Sequence, residues 1–135
     1  MKISTKGRYA LRVMCDLALH KDEGYISLKD IAARQGIALK YTEQIVTTLG
    51  KADLITSMRG STGGHKLSKE PSEYSVGDIL RATEGSLQSV VCTADNDGAE
   101  CPLASDCMTA AFWTGLDKVI DDYINRYTLE DLIVS

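Results

Sequence analysis

The chain has 135 residues, of which 44% are hydrophobic and 25% charged, the make-up of an ordinary globular protein with one compact domain and an accessory element. No run reaches the roughly 18 apolar residues of a membrane span, and Met1-Lys2-Ile3-Ser4-Thr5-Lys6-Gly7 lacks the apolar stretch of a secretory signal, so a cytoplasmic location is expected. The net charge of −4 conceals an asymmetry: residues 1–69 carry 12 Lys/Arg against 6 Asp/Glu, and residues 70–135 carry 3 against 13. A basic front half suits a polyanionic partner and an acidic rear half suits other work; the bland alternative is two differently charged solvated faces.

Ala10, Leu11, Met14, Leu17 and Ala18 recur at helical spacing and predict a helix over residues 5–20, with Ser4 or Thr5 as its N-cap. Three pairs then repeat one helix-start signal, a hydroxyl followed three positions later by an acid: Ser27/Asp30, Ser75/Asp78 and Thr128/Asp131. In each pair the hydroxyl can satisfy an orphan backbone N–H, and the acid favours the positive end of the helix. The first opens a helix over residues 27–35, closed by Gly36 where a left-handed residue is wanted. A second helix, with Ile45 and Leu49 facing inward, follows over residues 39–51, which makes a helix-turn-helix.

Residues 54–58 and 65–68 read as strands around the turn Arg59-Gly60-Ser61-Thr62-Gly63-Gly64, and a hairpin in that place is a wing. As a phosphate cradle the turn fails, because it precedes a strand and lacks the Gly-Lys-Ser/Thr ending. A helix over residues 75–84 and a loop over 85–106 lead to a last long helix over 107–127. There Trp113, Leu116, Ile120, Tyr123 and Tyr127 step by 3 and 4 as a heptad seam, which Phe112, Val119 and Ile124 widen. About three heptads are too short to stand alone, so the seam is expected to pair with a second copy; packing on its own domain is the alternative. The expected fold is mainly α with a small β-hairpin wing: a winged helix-turn-helix over 1–84, a cysteine-bearing loop over 85–107, and a dimerisation helix with the C-terminal segment over 108–135.

Lys40, Tyr41, Thr42, Glu43 and Gln44 open the second helix of the helix-turn-helix and are the candidates for reading double-stranded DNA. The major groove, about 12 Å wide, admits one helix. Glu43 is the informative member: phosphate repels an acid, so it stays only to accept from a cytosine amino group or to serve the fold. Lys40 and Tyr41 suit phosphate, which positions without specifying. Arg59, framed by glycines, suits a minor groove, or is an ordinary solvated turn arginine; Ser61 and Gly63 are taken with it. Ser27 and Lys29, with Thr5, Lys6 and Arg8, are further candidates for phosphate contact.

Cys92, Cys101 and Cys107 fall within sixteen residues, spaced unlike the Cys-x-x-Cys of zinc ribbons and dithiol catalysts. An iron–sulfur cluster, bare oxidant-sensing thiols and zinc all remain open from spacing alone. No base, nucleophile and oxyanion set can be assembled, so catalysis is not expected.

Met1 to Ala10, Tyr41-x-Glu43-Gln44 and Arg59-Gly60-x-x-Gly63-Gly64 resemble the Rrf-two family of bacterial winged-helix transcription regulators. Cys92…Cys101…Cys107-Met108-Thr109-x-Ala111-Phe112-Trp113 resembles its iron–sulfur cluster regulator branch, the IscR type. The resemblance covers essentially the whole chain. It implies a homodimer through a long crossing helix, and a cluster, 2Fe–2S ahead of 4Fe–4S, held by the three cysteines. It also implies control of genes for cluster assembly, iron or redox stress, with Glu43 and Arg59 reading DNA. One position departs: Ala110 stands where the branch has a histidine as fourth ligand. Asp95, Asp97, Glu100, Asp106, a residue of the other subunit or a small molecule are the candidates left. Two other readings remain, a thiol-based or cofactorless regulator of cysteine metabolism acting with a partner enzyme, and a small iron–sulfur electron carrier.

Overall fold

The structure, a computed structural model, describes residues 3–90 and 107–134. The helices are α1 (Thr5–Leu19), α2 (Leu28–Gln35), α3 (Leu39–Lys51), α4 (Val76–Glu84), α5 (Ala110–Arg126) and α6 (Leu129–Val134). Strands β1 (Ile55–Met58) and β2 (Gly64–Leu67) lie between α3 and α4, and single 3₁₀ turns fill Lys21–Glu23 and Pro71–Glu73.

The capping residues lie where the sequence placed them. Ser4 accepts from the Gly7 N–H, and Ser27 from that of Asp30. Ser75 and Asp78 bond each other's backbone N–H, as do Thr128 and Asp131, so both pairs are true capping boxes. Gly36 ends α2 at φ 64°, the left-handed conformation that suits glycine best.

One core joins these helices. Ala10, Val13 and Met14 of α1, Ile31 of α2, Ile45 and Leu49 of α3 and Ile79 of α4 are sealed from water in it. Leu129 of α6 is buried in the same core. The chain returns to it through two backbone bonds, Val76 N–H to the Tyr127 carbonyl at 2.8 Å and Leu129 N–H to that of Tyr74 at 2.9 Å. The C-terminal segment is therefore seated on the front module.

β1 and β2 pair antiparallel from Ile55↔Leu67 to Met58↔Gly64. Ile26 adds a bridge on the other edge of β2, exchanging two 2.8 Å bonds with His65. A Cβ on Gly64, at φ 155°, would overlap the Ile26 carbonyl, so this approach requires glycine. Tyr74 locks the base of the hairpin: its buried hydroxyl donates to the Leu54 carbonyl at 2.6 Å and accepts from the N–H groups of Ser68 and Lys69 at 2.9 and 3.1 Å.

Candidate nucleic-acid interface

The helix-turn-helix is held to α1 by a polar clamp. Arg34 of α2 grips the buried Asp16 carboxylate with two bonds of 2.9 and 2.7 Å, and Gln35 adds a third at 2.9 Å. Arg12 closes the set with a 2.6 Å bond to the Gln35 carbonyl. Burial alone would push the Asp16 carboxyl up, but the Arg34 and Gln35 hydrogen bonds and the Arg34 charge outweigh it, and its pKa lies below the usual aspartate value. The clamp fixes α2; the Gly36 turn, with Ile37 buried beneath it, then sets where α3 begins.

α3 divides its side chains cleanly. Thr42, Ile45, Val46 and Leu49 are buried, whereas Lys40, Glu43, Gln44 and Thr47 are exposed. Thr42 is therefore corrected: expected on the reading face, it is 0% exposed and its hydroxyl donates to the Ala38 carbonyl at 3.0 Å, so it serves the core. Tyr41 is half-buried, with its ring edge-on to Tyr9 at 5.9 Å. Among the described residues nothing pairs with the Glu43 carboxylate or the Arg59 guanidinium. A structural duty for Glu43 would need such a partner. Lys6 of α1 lies alongside, and with Lys40, Glu43, Gln44, Thr47 and Thr48 it lines a shallow groove of about 380 Å³.

Arg59 and Ser61 stand exposed on the hairpin turn. Gly60 has φ 111°, and the Gly63 N–H donates to the Gly60 carbonyl at 3.1 Å; a Cβ on Gly63 would overlap the Met58 carbonyl. Gly63 thus shapes the turn that carries Arg59. Lys29 is exposed on the first turn of α2, and the Ser27 hydroxyl is engaged as its cap.

Of the three clustered cysteines, Cys92 and Cys101 lie outside the described residues, as do Asp95, Asp97, Glu100 and Asp106. Cys107 sits just before α5, which starts at Ala110, three residues later than expected. Its sulfur is 3.2 Å from the Thr109 hydroxyl, and the Thr109 side-chain bond, helped by the backbone N–H groups of Thr109 and Ala110, lowers its thiol pKa. That favours the thiolate, the form that binds iron. Cys15 is the opposite case: burial in α1 raises its thiol pKa, and it packs against the core. The chemistry at Cys107 thus fits a cluster ligand, and Ala110 offers no donor. Among the described residues no three His, Cys, Asp or Glu side chains gather as a metal site.

On α5 the expected seam splits. Trp113, Leu116 and Ile120 are half-buried, whereas Tyr123 is exposed and Tyr127 is 38% exposed. The open apolar stripe runs through Phe112, Val119 and Tyr123, exposed by 64%, 64% and 57%. Asp117 is buried, and its carboxylate accepts from the Ser89 N–H at 2.7 Å.

Sequence reasoning missed the Asp16 clamp, the Tyr74 lock and the Ile26 bridge. Asp16 is a single polar residue inside an apolar pattern, Tyr74 a single aromatic in a polar stretch, and Ile26 one residue of strand; none has a period to detect.

The family model described as "Rrf2: Iron-dependent Transcriptional regulator" matches residues 3–135. The HTH-type transcriptional regulator IscR of Pectobacterium carotovorum subsp. carotovorum (strain PC1) is 40% identical over 134 residues, 98% of this chain and 79% of that protein. Among solved structures, T. potens IscR is similar with a TM-score of 0.76 at 40% identity, covering 98% of this chain and 86% of that one. CymR (YrzC), the global cysteine regulator of B. subtilis, is similar with a TM-score of 0.78 at 36% identity, covering 99% and 97%.

Proposed function

Because the chain belongs to the Rrf2 family of transcriptional regulators, we propose that it binds operators as a homodimer in the cytoplasm and that an iron–sulfur cluster governs which operators it occupies. It is a DNA-binding regulator and not an enzyme, like the relatives it resembles. Lys40, Glu43 and Gln44 enter the major groove, Glu43 accepting from a cytosine amino group, and Arg59 enters the neighbouring minor groove. The observation that carries this reading is the unpartnered, exposed Glu43 carboxylate on a helix face otherwise suited to a polyanion. An acid there is tolerated beside phosphate only if it finds a donor in the DNA.

Two such faces are needed, about 34 Å apart or a multiple of it. The open stripe of Phe112, Val119 and Tyr123 supports α5 as the element that pairs the subunits. Cys92, Cys101 and Cys107 would hold the cluster, which would supply a link sensitive to oxygen and redox state between the residues around Cys92 and Cys101 and the start of α5. A ligand outside the family's histidine completes the set, since Ala110 cannot.

Duplexes selected from a randomised pool by the anaerobically purified protein test the reading. Enrichment of a two-fold symmetric site is expected, and Glu43→Ala should relax the choice at a C·G pair in each half. Arg59→Ala should weaken binding by about 1–3 kcal/mol if it reads a base. Cys92→Ala should lose visible absorbance while remaining dimeric. A monomer that enriches nothing, aerobically or anaerobically, would refute the proposal. A colourless anaerobic wild type that still selects a site would favour the second reading, regulation through thiols alone; the likeness to the global cysteine regulator of B. subtilis supports that reading.

A further inference from the structure

The first turn of α1 is held from outside by the last residue of α4. The Glu84 carboxylate accepts from the Ser4 N–H at 3.0 Å and also from the Ser4 hydroxyl, which itself accepts from the Gly7 N–H at 3.1 Å. Glu84 lies so close over this turn that a Cβ on Gly7 would overlap its carboxyl group. Gly7 is buried, and a larger residue there would have to push the Glu84 carboxyl, the far end of a flexible side chain, off Ser4. Negative charge at a helix N-terminus is favourable, so the contact both satisfies the orphan groups and suits the dipole.

Lys6 rides on that turn, half-buried, and shares the groove with Lys40, Glu43 and Gln44 of α3. Among the described residues no carboxylate pairs with its ammonium. Its place beside the recognition helix therefore depends on where the backbone of α1 begins. We propose that Glu84 is a positioning residue for DNA contact: by fixing Ser4 and the first turn of α1, it holds Lys6 where the ammonium meets a phosphate flanking the bases that face Glu43 and Gln44. The proposal rests on the DNA-binding reading above. It also runs against simple electrostatics, because deleting an acid from a protein should strengthen its binding to a polyanion.

The test measures affinity against salt concentration for the full-length protein and one 30-base-pair duplex that the wild type enriches from a random pool. Lys6→Gln should lower affinity about 5-fold and reduce the slope of log K against log salt by about 1 per subunit. Glu84→Ala should do the same despite removing negative charge, and adding Lys6→Gln to it should cost nothing further. Glu84→Gln, which keeps an acceptor for both Ser4 groups, should stay close to wild type. Unchanged or tighter binding by Glu84→Ala at wild-type thermal stability would overturn the proposal, as would additive losses in the double variant. Should Glu84→Ala melt below the assay temperature, Ser4→Ala, which removes the hydroxyl that the carboxylate holds, carries the same expectation. A wild type that binds no duplex defeats the DNA-binding reading itself, which separates that failure from this one.

Discussion

The front module and α5 dispose of their apolar surface in opposite ways. In the front, the inward stripes of α1 to α4 and Leu129 of α6 close over one core, and the surface left to solvent is mainly polar, with Leu19, Leu39 and Met58 as scattered apolar exceptions, and on α3 carries unpaired hydrogen-bonding groups. α5 buries an acid, Asp117, while Phe112, Val119 and Tyr123 stay in water. The front is thus a finished hydrophobic unit that offers polar chemistry outward. α5 is unfinished, and the covering it lacks must be apolar.

The sharpest way to break this contrast is Ile45→Ala, which hollows the core beneath α3. A loss of about 3 kcal/mol in denaturant unfolding is expected; a loss under about 1 would mean that the front is as loosely finished as the rear. Next is Asp16→Asn, expected to cost about 2 kcal/mol after allowance for the partly exposed Arg34. Asp16 also makes the contrast pH-dependent. Its folded pKa lies below that of an unfolded aspartate, about 3.9. Its contribution is therefore complete above that value and is lost as pH falls through the folded value. Stability of the Asn variant should fall less steeply than that of the wild type on acidification from about pH 5, as followed by thermal melts.

Tyr74→Phe removes one hydroxyl and leaves the Lys69 N–H without its partner, and the Ser68 N–H and Leu54 carbonyl with only their long 3.4 Å bond to each other. About 1–2 kcal/mol is expected in the same denaturant assay. The smallest effect on folding belongs to Val119→Asp, less than about 0.5 kcal/mol for the isolated subunit at low concentration. If α5 pairs the subunits as proposed, the same variant should sediment as a monomer at a concentration where the wild type sediments as a dimer. A stability loss rivalling that of Ile45→Ala would show that the α5 stripe is core after all.

What could be read from the sequence was what repeats. The four capping hydroxyls, Gly36, the α3 interior and the hairpin follow from periods and short signals, and they sit within a residue or two of where those signals put them. Thr42 was legible as well: it stands three, four and seven residues before Ile45, Val46 and Leu49, on the buried stripe, and only its hydroxyl suggested otherwise. Glu84 and Asp16 were not legible, because a carboxylate that bonds a distant helix leaves no trace in its own neighbourhood. The α5 seam was read as one continuous face, but α5 has two neighbours to satisfy: Trp113, Leu116 and Ile120 turn partly toward its own chain and Phe112 and Val119 turn away.

α5 is attached unequally at its two ends. Beyond its C-terminus, the Tyr127 carbonyl is bonded to Val76 and the Leu129 side chain is sunk in the core. Its other end follows Cys107. The Ser89 N–H bonded to Asp117 is a second tie partway along the helix, so a displacement at Ala110 is felt first by the two turns ahead of that bond, which carry Phe112 and Trp113.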